Sequence, residues 1–263
     1  MTVTVIGARG FVGSAFVSHL ASIQGVEVMS VTRDNYADLR GRSSDIVIEA
    51  SCNSKKYLAD ERPVEEFELS VVHRQRTLID FPAGLHVHVS SVDVYSDLSS
   101  LEGTHEDTPN DLARVSRYGC HKLLAEQLVR HYARRWLIVR LGGMVGPGLR
   151  KNPVYDILHG LPLRIHPDSQ YQFMHTAAVA RIVWQLIESG QVDEVFNVCG
   201  VGLISPREIG RLAGRQMDLS QVGAGDGARV VHANTDKLRR LAILPDTEAT
   251  VAAFVTRPFG ATE

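Results

Sequence analysis

The sequence is poor in cysteine, carries almost no net charge and has no long apolar run, and each shortage excludes something. Three cysteines, Cys52, Cys120 and Cys199, are scattered over 263 residues. They form no Cys-x-x-Cys pair and leave one odd, which argues against a disulfide scaffold and for a reducing, cytoplasmic setting. Lys and Arg number 28 against 30 Asp and Glu, a formal charge of −2 with pI near 6.6. No basic footprint invites nucleic acid or an anionic membrane. The apolar runs fall well short of the roughly 20 residues that a membrane span needs. The start, Met1-Thr2-Val3-Thr4-Val5-Ile6, lacks the basic opening and small-residue cleavage site of a secretory leader, so none is expected. Neither an internal repeat nor a low-complexity tract is visible.

What is present is an alternation of strand and helix patterns. β-rich runs fall at Thr2–Ile6, Val26–Val31, Asp45–Ala50, Leu85–Val89, Leu137–Arg140 and Val195–Val198. Helical patterns lie between them: Phe11 to Leu20, Glu61 to Ile79 with Pro63 in its first turn, Ser116 to Arg134 and Val179–Ser189. Such alternation predicts an α/β fold, a doubly wound parallel sheet of Rossmann type. After Gly142 the texture becomes loop-rich, with Gly143, Gly146, Pro147, Gly148, Pro153, Gly160, Pro162 and Pro167. Ser205-Pro206-Arg207-Glu208 has the pattern of a capped helix start. A Gly-rich loop at Gly223–Gly227, a strand near Arg229–Val231 and two short helices close the chain. The expected division is a Rossmann domain over 1–145 and, over 146–263, a small substrate lobe interleaved with the last elements of the sheet.

The first β-to-α turn reads Gly7-Ala8-Arg9-Gly10-Phe11-Val12-Gly13. In this context the glycines allow a tight turn, close approach of backbone to a pyrophosphate, and tight packing of helix on strand; the helix N-terminus adds partial positive charge. Gly7, Arg9, Gly10, Phe11, Val12 and Gly13 are therefore candidate cofactor-binding residues. The end of the second strand is where an acid would accept from the ribose 2′-hydroxyl of NAD. That place reads Val31-Thr32-Arg33-Asp34. Arg33 and Arg9 suit a 2′-phosphate and favour NADP. The alternative, Asp34 as the ribose acceptor and Arg33 as a solvated charge, leaves NAD open.

Tyr118 and Lys122 stand four apart in a helical segment and share one face. A lysine beside a tyrosine stabilises phenolate, so Tyr118 is expected to serve as an acid or base nearer neutral pH. Upstream, Ser90-Ser91-Val92-Asp93-Val94-Tyr95 follows the fourth strand, at the edge where ligands bind in open α/β sheets.

These pieces together resemble the extended short-chain dehydrogenase/reductases, the NAD(P)-dependent epimerase/dehydratase family. The resemblance runs from the Gly7/Gly10/Gly13 turn through Asp45–Ala50, Ser-Ser-x-x-Val-Tyr and Tyr118-x-x-x-Lys122. It continues through Val139-Arg140-Leu141, Gly146-Pro147, Phe173-Met174-His175 and Val195-Phe196-Asn197-Val198. Arg9 with Thr32-Arg33-Asp34 is similar to the NADPH-dependent deoxysugar reductases of that family. The resemblance implies that Ser91 binds the reacting oxygen and that Tyr118 is the general acid/base. It implies that Lys122 holds the nicotinamide ribose and lowers the tyrosine pKa. It also makes Asp93 a candidate second acid/base, with partial burial expected to raise its pKa; an extended segment would aim Ser91 and Asp93 to one side. A loop-capping role is the alternative for Asp93.

The chain departs from the family pattern at several places. His121 stands for the serine before the lysine, and Ser70 for the usual asparagine. Leu141 follows Arg140, and Ala177-Ala178 follow Phe-x-His. Tyr171 stands where a diphosphate-clamping arginine is common, and Gly223-Ala224-Gly225-Asp226 also lacks one; Arg229 or Arg164 are the candidate substitutes. His86 and His88 alternate on one strand face without a third ligand, so no metal is expected. His175 reads as a loop-orienting residue and Cys52 as a small buried residue after the third strand, with a place in the cofactor channel and a reactive thiol as the alternatives. The expected activity is an NADP-dependent oxidoreductase or epimerase acting on a carbonyl or secondary alcohol, a keto-deoxysugar or nucleotide sugar first. The rivals are a small ketone or aldehyde reductase and a non-catalytic NADP-sensing protein. The expected partner is a small molecule, not nucleic acid or membrane, with a homodimer as the oligomer to test.

Overall fold

Six β-branched runs become six parallel strands in a computed structural model that describes residues 1–223 and 227–256. They are β1 (Thr2–Ile6), β2 (Glu27–Val31), β3 (Ser44–Glu49), β4 (Ala83–Ser91), β5 (Trp136–Leu141) and, after three short strands, β9 (Glu194–Val198). Their order in the sheet is β2-β1-β3-β4-β5-β9, all parallel. The chain goes from β1 to β2 on one side and then crosses back to β3 on the other. The crevice at the C-terminal ends of β1 and β3 is therefore the switch point where a doubly wound sheet takes its ligand.

Helices cover both faces, as near-continuous apolar strands require. On one face α1 (Gly13–Ala21) and α8 (Thr176–Glu188) pack over Val3, Val5, Val87, Val139 and Phe196. On the other, Leu78 of α5 (His73–Asp80) and Val129 of α6 (Arg117–Tyr132) meet Ile138 and Val195. The helical stretch after β3 is broken into α3 (Leu58–Glu61), α4 (Pro63–Phe67), a π turn over Glu68–Val72 and then α5. Sequence periodicity reads it as one helix because a π turn adds one residue without ending the run. A short α2 (Tyr36–Leu39) lies between β2 and β3.

A buried ion pair fixes α6 against the sheet. Arg140 of β5 donates from Nε and Nη2 to the Glu126 carboxylate at 3.0 and 2.8 Å, and Ser90 of β4 adds a bond of 2.6 Å. Removing one side of such a pair costs about 3–5 kcal/mol, because the other charge is left buried.

The loop-rich C-terminal stretch has a core of its own. Val145, Val154, Ile157, Phe173, Ile204, Ile209 and Val251 gather there. They come from β6 (Gly143–Val145), α7 (Pro153–His159), β8 (Phe173–His175), α9 (Pro206–Ala213) and α11 (Thr247–Val255), with Ile204 from the segment just before α9. β6 pairs with β8, and β7 (Gln170–Tyr171) pairs with β10 (Val230–Val231), ahead of a short α10 (Asp236–Arg239). Ser205 and Glu208 form the capping box that their spacing predicts. Ala224, Gly225 and Asp226 of the Gly-rich loop lie outside the described residues.

Candidate active site

The first turn has no room for side chains at its glycines. Gly7 has φ +82°, and a Cβ there would lie 2.7 Å from Ser51 Cα at the end of β3. A Cβ on Gly13 would come to 2.1 Å from the Gly7 carbonyl oxygen. Gly10 N–H donates to that same oxygen at 2.8 Å. Glycine at 7, 10 and 13 thus lets the turn fold on itself and sit against β3. Phe11 is half-buried, and Val12 sits at the start of α1, whose first turn has neither a side-chain cap nor an acidic residue. The partial positive charge of this helix N-terminus fits a pyrophosphate.

At the rim, Arg9 Nη1 bonds Asp34 Oδ2 at 2.7 Å, and Arg33 is exposed beside it. Both arginines therefore stand near the C-terminal ends of β1 and β2, with Asp34 holding Arg9.

The other half of the cleft is built by α6. Ser116 caps it by accepting from Gly119 N–H at 3.0 Å. Gly119 is there for contact: a Cβ would lie 2.1 Å from the Asp93 carbonyl oxygen. This close approach presses Tyr118 and Lys122 against the turn that carries Ser91. Tyr118 is buried, and its hydroxyl donates to the Asn53 carbonyl at 3.2 Å. Lys122 is also buried; its Nζ lies 2.6 Å from Cys52 Sγ and 5.4 Å from the Tyr118 ring centre. Both side chains are thus held by the loop that follows β3.

Burial pushes the Tyr118 phenol well above its ordinary pKa, against the opposing pull of Lys122. The lowering expected from lysine alone is outweighed by desolvation. Burial works against the Lys122 charge too, but Cys52 and Tyr118 more than offset it and hold the ammonium above its usual range. Tyr95, at the end of the same motif, is structural: it bonds Asn197 at 2.8 Å, and burial takes it to about 12.

Asp93 differs from expectation in two ways. Residues 92–94 form a 3₁₀ turn, not an extended segment, because Ser91 Oγ accepts from Asp93 N–H at 3.2 Å. Ser91 Oγ then donates to Asp93 Oδ2 at 2.6 Å, so the two side chains still meet. Burial pushes the Asp93 carboxyl up, but Lys56, at 2.6 Å, together with Ser91 and Lys122, holds it below its ordinary value. The expected rise is therefore reversed, and Asp93 is ionised at neutral pH.

Several groups that bear on the site carry no signature in the sequence. Lys56 reaches Asp93 from a loop whose path periodicity does not predict. Partial burial and the charges of Lys56, Lys55 and Lys122 bring Lys151 down to about 8. Tyr171 is within electrostatic reach of both Arg229 and Asp93, whereas Arg164 acts on Asp156, so Arg229 rather than Arg164 is near Tyr171. Glu66, wholly buried, gathers both Ser70 and His121.

The histidines of β4 sit inside the sheet. His86 and His88 are buried, and burial with Arg74 nearby lowers His86 to about 4 and holds His88 well below the ordinary imidazole value. Among the described residues no group of His, Cys, Asp or Glu could hold a metal, and no helix is long and apolar enough to cross a membrane. His175 Nδ1 accepts from Ala177 N–H at 3.2 Å at the start of α8.

The sequence profile of the NAD dependent epimerase/dehydratase family matches residues 3–199. A dTDP-4-dehydro-6-deoxy-D-allose reductase of Streptomyces bikiniensis is 26% identical over 80% of this chain and 79% of its own length. A UDP-glucuronic acid 4-epimerase of Bacillus cereus, solved with UDP-glucuronic acid and NAD, superposes with a TM-score of 0.79 at 18% identity, covering 97% of this chain and 98% of that one. A dTDP-4-dehydrorhamnose reductase of Bacillus anthracis, solved with NADP, gives 0.76 at 15% identity over 96% of each chain. At these identities the two structures establish a shared fold.

Proposed function

The chain belongs to the NAD dependent epimerase/dehydratase family, and on that premise we propose an NADP-dependent reductase or epimerase acting on a nucleotide-linked keto-deoxysugar. The observation that carries the proposal is the convergence of Ser91, Tyr118 and Lys122 at the strand ends beside the Gly7–Gly13 turn. Arg9 and Arg33 support NADP over NAD. Lys56, Lys151 and Arg229 around Asp93 and Tyr171 support an anionic substrate. The relatives with NADP and with a dTDP-linked keto sugar in their names agree with both.

Bound NADPH would supply the hydride for the carbonyl carbon. This chain's residues do the rest. Tyr118 turns its hydroxyl from the Asn53 carbonyl to the substrate oxygen and gives it a proton as negative charge develops there. Ser91 turns its hydroxyl from Asp93 and donates a second hydrogen bond to that oxygen. The Lys122 ammonium, released from Cys52, stabilises the Tyr118 phenolate and holds the cofactor ribose. Asp93 is the proposed second base, able to take a proton from the carbon next to the carbonyl for epimerisation. The division into 1–145 and 146–263, a cytoplasmic setting and a homodimer belong to the same proposal.

The test is incubation of the protein with NADPH and a dTDP-4-keto-6-deoxyhexose, following nicotinamide absorbance and the sugar product. Consumption of NADPH with formation of the 4-hydroxy sugar supports a reductase; a new epimer without net consumption supports an epimerase. Tyr171 in place of an arginine favours a second reading, a small ketone or aldehyde reductase. Turnover of unlinked ketones alone would select it. NADPH binding with no turnover of either class would leave a sensor.

A further inference from the structure

Ser70 and His121, two departures from the family pattern, face one carboxylate. Ser70 Oγ donates to Glu66 Oε1, and His121 Nδ1 meets Glu66 Oε2. A third partner is Asn53, whose Nδ2 donates to Glu66 Oε1 at 3.2 Å. Glu66 is 0% exposed. A carboxylate so placed is costly unless its oxygens are matched, and here they are met from three directions. Asn53 comes from the loop after β3, Ser70 from the π turn and His121 from α6. π turns inserted into helices are frequent at functional sites, and this one sets Ser70 under the carboxylate.

The cluster reaches the chemistry through Asn53. Its side chain is fixed twice more: Lys55 N–H donates to Oδ1 at 2.9 Å, and Nδ2 donates to the Lys55 carbonyl at 3.1 Å. Its own carbonyl accepts the Tyr118 hydroxyl at 3.2 Å. His121 lies in α6 between Tyr118 and Lys122. One buried carboxylate therefore grips both the loop that carries the acceptor and the helix that carries the donor.

We propose that Glu66 is a positioning residue, which by bridging Asn53 and His121 sets the separation between loop 51–55 and the helix bearing Tyr118 and Lys122. The claim rests on the reading of Tyr118 as proton donor. Glu66→Gln keeps the volume and one acceptor oxygen, but its NH₂ cannot accept from the second donor. Asn53→Ala cuts the link while keeping the backbone carbonyl that Tyr118 uses.

The experiment measures kcat, KM, NADPH affinity and thermal midpoint in wild type, Glu66→Gln, Asn53→Ala, the double variant and Tyr118→Phe. A misplacement of about 1 Å costs up to about 100-fold in rate. The expected result is a 10- to 100-fold fall in kcat for each single variant, on that same order-of-magnitude basis. NADPH affinity and thermal midpoint should stay near wild type, and the double variant should be no worse than either single one. A Glu66→Gln rate within about twofold of wild type, multiplicative losses in the double variant, or a rate loss that follows a fall in thermal midpoint would each overturn the proposal. If Glu66→Gln does not fold, His121→Gln with Asn53→Ala carries the same cycle, with coupled losses sustaining the proposal and independent losses overturning it. Wild-type turnover in Tyr118→Phe would instead overturn the underlying reading, whereas an inactive Tyr118→Phe beside a fully active Glu66→Gln removes only the positioning role.

Discussion

The Lys122 ammonium lies 2.6 Å from the Cys52 sulfur, joining α6 to the loop after β3. On the proposed role of Lys122, to hold a ribose and a phenolate, cofactor binding would displace this contact. Cys52 is half-buried, whereas burial pushes the Cys199 thiol up to about 12. Iodoacetamide is therefore expected to label Cys52 well before Cys199, because the thiolate is the reacting form and access is required. NADPH should slow labelling of Cys52 and leave Cys199 unaffected. Peptide mass spectrometry would read both sites, and labelling of Cys52 that ignores NADPH would place the cofactor elsewhere.

Tyr118→Phe removes the transferable proton and leaves the ring in place. Cofactor affinity should stay near the wild-type value while turnover falls by about 100- to 10,000-fold, the span of general acid catalysis. Lys122→Ala should harm both, since the proposal gives the ammonium to ribose and phenolate alike. Steady-state kinetics beside cofactor titration separates the two patterns. Equal loss of affinity in both variants would make Tyr118 a binding residue only.

Legibility from sequence followed the range of the interactions. The Gly7–Gly13 turn and the Ser205–Glu208 capping box are local motifs, and both stand where their residues predict. The parallel sheet follows from alternation, and its strand boundaries move by only a few residues. Glu66 was unreadable because a glutamate in a helical run has the pattern of a solvated face. Its burial depends on His121, 55 residues away, and on Asn53, 13 residues away. Lys56 and Asp93 are likewise 37 residues apart. Gly119 has no local signature, because its reason, close approach to the Asp93 carbonyl, exists only after α6 docks. The pKa expectations for Tyr118 and Asp93 reversed for one cause: sequence shows neighbours along the chain, whereas desolvation and Lys56 come from the fold.

The arginines at the rim make cofactor choice testable. The Arg9–Asp34 pair is largely exposed on both sides, so it adds little stability, about 0–1 kcal/mol, and can open for a phosphate. Arg33→Ala should weaken NADPH binding by about 1–3 kcal/mol, the loss expected for a charge-assisted hydrogen bond, and change NADH binding little. Arg9→Ala should act in the same direction. Fluorescence titration with both cofactors gives the answer, and tighter binding of NADH by wild type would reverse the assignment.

Asp93 links pH, stability and chemistry through Lys56. Its folded pKa lies below the ordinary 3.8 despite burial, because Lys56, Ser91 and Lys122 favour the ionised form. A depressed carboxyl pKa stabilises the fold fully above the unfolded value, and that stability is lost as pH falls through the folded value. The thermal advantage of wild type over Asp93→Asn should accordingly be constant near neutral pH and shrink below about pH 4. Lys56→Ala leaves the nearly buried carboxylate without its main partner, so desolvation raises the pKa and the wild-type pattern shifts to higher pH. The same change strengthens Asp93 as a base, since proton transfer improves as the pKa approaches the working pH. Solvent-deuterium exchange at the carbon next to the substrate carbonyl should therefore be faster per bound substrate in Lys56→Ala than in wild type, and vanish in Asp93→Asn. Exchange that persists in Asp93→Asn would leave this aspartate as the acceptor that orients Ser91 and Lys56, and the enzyme as a simple reductase.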